Sequence, residues 1–247
     1  MINFLGLWNK SGERYQGYAL KYPQYMETNK KLVELAGPRS GQVVVDLACG
    51  TGLTTSEILR VNPEVKKVYA LDFSEDMIRV AKENVSSEKV NFVVADAQFL
   101  DEVVTEKVDV ILCNSSFWQF SDQKKVLEAV FRVLKPEGVF VFNLNQQFFD
   151  FGESEPNQRL IIEQIFSEMK KRGYEIEGTL KQKVNEEDID ALASSAGFEV
   201  VGVDYLDVGP RTLEDFFEFL TIPATATFFE KVSPEEQKEI LVLFLMI

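Results

Sequence analysis

The sequence predicts an α/β fold built on a doubly wound, mostly parallel sheet, and three observations carry that prediction. Short apolar or β-branched runs recur at Val43–Leu47, Val68–Leu71, Val90–Ala95, Val108–Cys113 and Val139–Asn143. Helix-patterned stretches at Thr54–Val61, Glu75–Asn84 and Gln123–Leu134 separate them. Strand, helix and strand repeated in this way argue for a parallel sheet covered on both faces, and right-handed crossovers then narrow the topology to a doubly wound sheet.

Each element has a local reason. Tyr15, Tyr18, Tyr22 and Tyr25 crowd the N-terminal region, which Pro23 interrupts; Asn29–Leu35 reads as helix and is ended by Gly37, Pro38 and Gly41. Ser74, and Ser121 or Asp122, stand where a side-chain oxygen caps the helix that follows. Past Asn145 the rhythm changes. Asn157–Arg172 and Val184–Ala196 read as helices, Gly197 ends the second, and Phe198–Val208 reads as a further strand. Leu213–Leu220 and Pro234–Leu245 read as two final helices. The chain ends LVLFLMI, an apolar run that either packs on the core or leads into further natural sequence.

We therefore expect one domain over residues 1–247: a helical lid at 1–36, a ligand-binding core at 37–145, an insertion at 146–182, a helix and strand returning to the sheet at 183–208, and a helical tail or cap at 209–247. Gln146–Gln182 reads as a cap over the carboxyl edge of the sheet, where open α/β sheets bind ligands; extra packing against the sheet is the alternative.

Composition excludes several functions. A formal charge of −14 opposes binding to a polyphosphate backbone, so nucleic acid is not an expected partner. The chain has no histidine, which removes a His general base, a Ser-His-Asp triad and histidine metal ligation. With only Cys49 and Cys113 there is neither a disulfide framework nor a four-cysteine zinc site, and no metal is expected. The opening MINFLGLWNKSGERY lacks the pattern of a secretory signal and no stretch reaches membrane-spanning length; a cytoplasmic protein with no membrane partner is the expectation.

The stretch VVVDLACGTG, Val43–Gly52, is a strand that breaks into a glycine turn opening a helix. Such turns offer backbone N–H groups and a positive helix end to an anionic group. The dinucleotide pattern G-x-G-x-x-G/A fails at Thr55, Asp46 would stand close to a pyrophosphate, and no Gly-Lys-Ser/Thr follows to make a P-loop. Asp46 instead suits a ligand with a positive group, while Gly50 and Gly52 let the backbone approach closely.

D-L-A-C-G-T-G resembles motif I, D/E-x-x-x-G-x-G, of the class I S-adenosylmethionine-dependent methyltransferases, with Asp46, Gly50 and Gly52 on the matching positions. The resemblance covers about Leu32 to Leu144, in the small-molecule branch near the trans-aconitate, malonyl-carrier-protein and quinone-pathway enzymes, and it implies a Rossmann-like sheet of that class with helical cap insertions. It implies S-adenosyl-L-methionine as cofactor and S-adenosyl-L-homocysteine as product. Asp72, ending the second strand, would accept the ribose hydroxyls; Phe73 and Met77 would lie against the adenine, with plain core packing as their alternative. Asp96 would take the adenine amino group, with Ala97 and Gln98 beside the ring, and Ala48, Thr51 and Asn114 complete the implied cofactor set. Leu134–Val139 resembles the family's L-K-P-G-G turn, with Glu137 in place of a glycine.

On the acceptor side, Asn114, Ser115 and Trp118 in the N-S-S-F-W segment are the candidates nearest the transferred methyl; Tyr18 and Tyr22 are candidates from the lid, and core packing is the alternative for the aromatics. The segment lacks the Asn/Asp-Pro-Pro-Tyr/Phe motif of amino-directed nucleic-acid enzymes. The expectation is in-line methyl transfer to a small molecule. A non-catalytic cofactor-binding partner or sensor, and a nicotinamide-dependent oxidoreductase, are the rival readings; the methylated atom and the oligomeric state stay open at this stage.

Overall fold

The computed structural model describes residues 3–144, 156–176, 186–209 and 212–245. Its centre is a five-stranded parallel sheet of β1 (Val43–Leu47), β2 (Lys67–Asp72), β3 (Val90–Val94), β4 (Val108–Cys113) and β5 (Leu134–Phe142), in the spatial order β3-β2-β1-β4-β5. The order reverses direction beside β1, because β2 and β3 extend one way and β4 and β5 the other. That reversal opens a crevice at the carboxyl ends of the strands.

Burial follows the two-residue period of a strand covered on both sides. Val43, Val45 and Leu47 face one core with Tyr69, Leu71 and Ile111, closed by α7 (Gln123–Val133). Val44, Val68, Val110 and Leu112 face the other, closed by α3 (Pro23–Ala36) and α4 (Leu53–Val61). The next helix, α5 (Glu75–Asn84), packs along β2 and β3, and Ile78 meets Cys49 and Ala70 there. Both cysteines are buried packing residues, and burial pushes their thiols up, away from the reactive thiolate.

Helix ends match their sequence signals. The Ser74 side chain accepts the Met77 N–H and the Asp122 side chain accepts the Lys125 N–H, so Asp122 rather than Ser121 is the cap. Pro23 opens α3 as its first helical residue, where a missing N–H costs nothing, instead of interrupting the segment. The helix ends on Gly37 in the left-handed region.

Two short helices, α1 (Phe4–Trp8) and α2 (Gly12–Lys21), precede α3. Between β3 and β4 lies α6 (Leu100–Val103), and past the sheet come α8 (Pro156–Lys171), α9 (Glu186–Ser195), α10 (Leu213–Leu220) and α11 (Pro234–Leu245). Ile165 and Met169 of α8, Phe216, Phe217 and Leu220 of α10, Phe229, and Ile240 of α11 form a hydrophobic cluster of their own. Helix α2 joins this cluster to the sheet. It donates Gly12 N–H to Asp76 on α5 at 2.8 Å, and it packs Tyr18 against Phe219. Ser11, just before α2, accepts the Ala224 N–H.

One expected element is absent. Phe198–Val208 carries no strand: Phe198 packs on Phe131 and Phe140, but beyond it Val201 is 87% exposed and Val203 61%. Strand propensity reflects packing on a half-buried pleated surface, and none of the described strands pairs with this stretch. Of the expected cap insertion, residues 156–176 are described; the remainder, and the last two residues of the apolar terminus, lie outside the described residues.

Candidate cofactor and acceptor site

The crevice is built around the turn after β1. Ala48, Gly50 and Gly52 all hold positive φ, at 57°, 53° and 84°, so the chain reverses three times in five residues. At Gly52, the N-cap of α4, a Cβ would stand 3.1 Å from Val85 and 3.3 Å from Ala81 of α5. A Cβ there would press on Ala81 and Val85, and the positive φ adds strain for any residue but glycine. At Gly50 the nearest atom to such a Cβ is Tyr15 Cε1 at 3.9 Å, which places the Tyr15 ring over the turn.

Carboxylates stand at or near the ends of three strands, and two of them, Asp46 and Asp72, border the turn. Asp46 is fully buried: its Oδ2 accepts the Thr55 hydroxyl at 2.6 Å, while its Oδ1 has no hydrogen-bond partner in the protein. Burial, reinforced by the charge of Asp72, pushes its carboxyl up to about 7. The Thr51 hydroxyl is the second buried polar atom of the turn that lacks a partner. Asp72 ends β2 and is also buried. Its Oδ2 accepts the Gly50 N–H at 3.0 Å and its Oδ1 the Ser74 N–H at 2.9 Å. Desolvation raises its carboxyl to about 6 against the pull of those amides. Asp96 is exposed past the end of β3 and accepts the Gln98 N–H at 2.9 Å, with Ala97 buried behind it. Met77 is buried in the first turn of α5 and Phe73 is half-buried beside it.

On the other side of β1, a chain of amides closes the edge. Asn114 follows β4; its Nδ2 donates to Asn29 Oδ1 at 2.6 Å and its Oδ1 accepts Asn143 Nδ2 at 2.8 Å. Asn143 Oδ1 in turn accepts the Ser115 N–H at 2.5 Å, and Ser115 sits at φ 54°. Trp118 donates its indole N–H to the Ser115 carbonyl and Trp8 donates its own to Gln119, both at 3.0 Å.

The structure thus brings Asp46, Ala48, Gly50, Thr51, Gly52, Asp72 and Asn114 to one crevice edge, with Asp96, Ala97 and Gln98 at its β3 end. Tyr18 and Tyr22 turn to α10. The Tyr18 hydroxyl of α2 donates to Asp215 of α10 and the hydroxyl of Tyr22, between α2 and α3, donates to Glu218, 2.6 Å away, so both phenols fasten the N-terminal helices to α10. Tyr15 is the lid tyrosine at the turn. In the sequence Asn29 and Asn143 mark only element boundaries, and Thr55 only a mismatch to a dinucleotide pattern. A threonine one turn into the helix, beneath an acidic strand end, was the available signal for that bond. Asn29 stood out only as a polar residue on the same helix face as Leu32, Val33 and Ala36.

Comparisons with known proteins agree with this geometry. Residues 38–197 match the model of a family described as a methyltransferase domain. Malonyl-[acyl-carrier protein] O-methyltransferase of Bacillus anthracis is 30% identical over 139 residues, 53% of this chain and 51% of that protein. Human thiol S-methyltransferase TMT1A is 30% identical over 155 residues, 57% of this chain and 62% of that protein. The chain thus spans about half the length of the curated relatives it matches. Among solved structures, a SAM-dependent methyltransferase from Aquifex aeolicus superimposes with a TM-score of 0.52 at 20% identity, over 74% of this chain and 87% of that one, a likeness of fold. The strand order, the glycine turn with its acidic strand ends and the family match over more than half the chain converge: this chain belongs to the methyltransferase domain family, with the fold of the class I S-adenosylmethionine-dependent enzymes.

Proposed function

We propose that the chain is an S-adenosylmethionine-dependent methyltransferase acting on a small-molecule acceptor. The observation that carries this reading is the presentation of Asp72. A carboxylate has about four lone-pair directions. The N–H groups of Gly50 and Ser74 each take one and lock the group against the glycine turn. The lone pairs left over suit a vicinal diol, and a ribose is the diol such a turn receives.

The donor set fits the rest of the cofactor. Asp46 Oδ1 is an orphaned carboxylate oxygen, the partner an ammonium group satisfies; a pyrophosphate in its place would meet two buried carboxyls. Asp96 Oδ2, which also accepts Gln98 Nε2 at 3.4 Å, has lone-pair capacity left for an exocyclic amino group. When bound, S-adenosylmethionine supplies an electrophilic methyl group on a cationic sulfur. This chain's residues hold the two ends of that molecule and exclude water from between them. Asn114, Ser115 and Trp118 form the wall on the acceptor side, with Tyr15 over the turn. Because displacement at such a carbon needs alignment above all, a site without histidine suffices for a carboxylate, thiolate or amine acceptor. The names of the two relatives point to oxygen and sulfur acceptors, so the atom methylated here is not carried over from them.

Calorimetry tests the reading. S-adenosylhomocysteine is expected to bind one per chain and NAD not at all. Methyl transfer from labelled cofactor into a small-metabolite extract is expected to label a product. Tight NAD binding without S-adenosylhomocysteine binding overturns the proposal, and cofactor binding with no labelled product from any extract turns it toward a sensor or partner subunit.

A further inference from the structure

Helix α3 packs its inner face on the sheet through Leu32, Val33 and Ala36, yet a fully polar residue occupies the same face one turn earlier. Asn29 is only 2% exposed. Burying a carboxamide without partners costs on the order of a few kcal/mol, so its partners explain its presence. Its Nδ2 donates to the Tyr25 carbonyl at 2.7 Å, within its own helix. Its Oδ1 accepts from two other elements: the Thr54 hydroxyl of α4 at 2.5 Å and Asn114 Nδ2 past β4 at 2.6 Å.

We propose that Asn29 is a positioning residue, the fixed end of a one-way amide relay that sets the acceptor-side wall from the lid. The proposal rests on the reading of Asn114–Trp118 as that wall. A carboxamide can face a neighbour with either its NH2 or its oxygen. Because Asn29 Oδ1 accepts, Asn114 must turn its NH2 toward α3 and its Oδ1 toward β5. That orientation lets Asn143 donate to Asn114, and leaves Asn143 Oδ1 to accept the Ser115 N–H. Every member of the relay donates in the same sense, from Ser115 through Asn143 and Asn114 to Asn29 and on to the Tyr25 carbonyl. The relay ends on Ser115 at positive φ, whose carbonyl holds the Trp118 indole. An apolar side chain at position 29 would fill the same space and leave the orientation of Asn114 free.

The chain has two tryptophans, so their indole N–H signals in a 1H–15N correlation spectrum report on the wall directly; Trp8→Phe assigns them. Asn29→Leu is expected to displace or broaden the Trp118 indole signal. Thr54→Val removes the other donor to the same oxygen without touching Asn114, and is expected to leave the signal in place. Asn29→Asp, whose neutral acid both accepts and donates, is expected to restore it at low pH. S-adenosylhomocysteine affinity is expected to fall in Asn29→Leu, because Asn114, which the relay orients, also belongs to the expected cofactor set, so the Trp118 signal of the ligand-free protein is the readout that decides. An unchanged Trp118 signal in folded Asn29→Leu, or an equal displacement in Thr54→Val, overturns the relay. Where Asn29→Leu does not fold, the wild-type protein decides: slowly exchanging Asn114 and Asn143 carboxamide protons support the relay, and fast averaged ones overturn it. Failure of the wild-type protein to bind S-adenosylhomocysteine overturns the cofactor reading instead, a result that the spectra of the ligand-free variants do not depend on.

Discussion

The Tyr18 hydroxyl of α2 donates to the buried Asp215 carboxylate of α10, and this bond joins the N-terminal helices to the cluster formed past the sheet. Gln24 donates to the other oxygen of Asp215 at 3.3 Å, and Ser11 and Arg14 add bonds to Ala224 and Thr221 along the same seam. A phenol committed to a carboxylate in this way is a fastening. Tyr18→Phe is therefore expected to destabilise the protein by about 1–3 kcal/mol, the cost of depriving a buried acceptor of its donor. Tyr22→Phe, facing the less buried Glu218, is expected to cost about 0.5–1 kcal/mol. Urea denaturation checks both. A Tyr18→Phe protein of wild-type stability that has lost turnover would instead make this phenol part of the chemistry.

Asp72→Ala removes the acceptor of the Gly50 and Ser74 N–H groups and the oxygens assigned to the ribose. S-adenosylhomocysteine affinity should fall by about 1–3 kcal/mol, close to tenfold per 1.4 kcal/mol. Affinity unchanged in a calorimeter would place the ribose elsewhere.

Asp46 gives a pH dependence whose sign can be worked out. Its carboxyl stands at about 7 in the folded chain and that of Asp72 at about 6, against an ordinary value of 3.8 for both. Between about pH 4 and pH 7 the folded state holds protons that the unfolded state has released, so these two groups make stability fall as pH rises through that window. At about 1.36 kcal/mol per pKa unit, this amounts to about 4 kcal/mol from Asp46 and about 3 kcal/mol from Asp72. A bound ammonium reverses the preference at Asp46, because it favours the ionised form. Cofactor affinity is expected to rise from pH 5.5 to pH 8, while Asp46→Asn stabilises the ligand-free protein at pH 8, weakens binding and flattens the pH profile. Calorimetry at several pH values with parallel thermal melts would show it; a wild-type affinity independent of pH would sink the assignment.

The same contrast explains what the sequence made legible. Motif positions at strand ends were readable because β1, β2 and β4 are fixed by local apolar runs, and a strand end puts its next side chain at the sheet edge whatever lies beyond. Their places at strand ends are local, but the roles expected of Asp46, Asp72, Asp96 and Asn114 come from the resemblance to the family's motifs. Phe198–Val208 shows the opposite case: its pattern is strand-like, but a strand requires a partner, and partners are set by chain far away in sequence. The N-terminal tyrosines are ambiguous for a related reason. Tyr15, Tyr18, Tyr22 and Tyr25 share an aromatic cluster, and only the position of α10 decides that Tyr18 and Tyr22 turn to its carboxylates while Tyr15 lies over Gly50. Asn29 was silent because a buried asparagine means something only once its three partners are known.

The irregularity inside β5 lies apart from the site. Between Val108 and Val110 of β4, the opposite strand advances from Leu134 to Val139, so the Lys135–Gly138 turn bulges out of the ladder. Glu137 there holds φ 64°, a conformation that costs a residue with a Cβ roughly 1–2 kcal/mol. Next to it, a Cβ on Gly138 would stand 2.9 Å from the Lys135 carbonyl and 3.2 Å from that of Asp109, both rigid backbone atoms. The two positions therefore respond oppositely. Glu137→Gly relieves the strain but adds freedom to the unfolded chain, for a net gain of about 0.5–1 kcal/mol. Gly138→Ala forces two strands apart and is expected to destabilise by more than that gain. Thermal melts of the two single variants decide it: equal destabilisation by both would mean that the Glu137 side chain contributes more than its backbone costs.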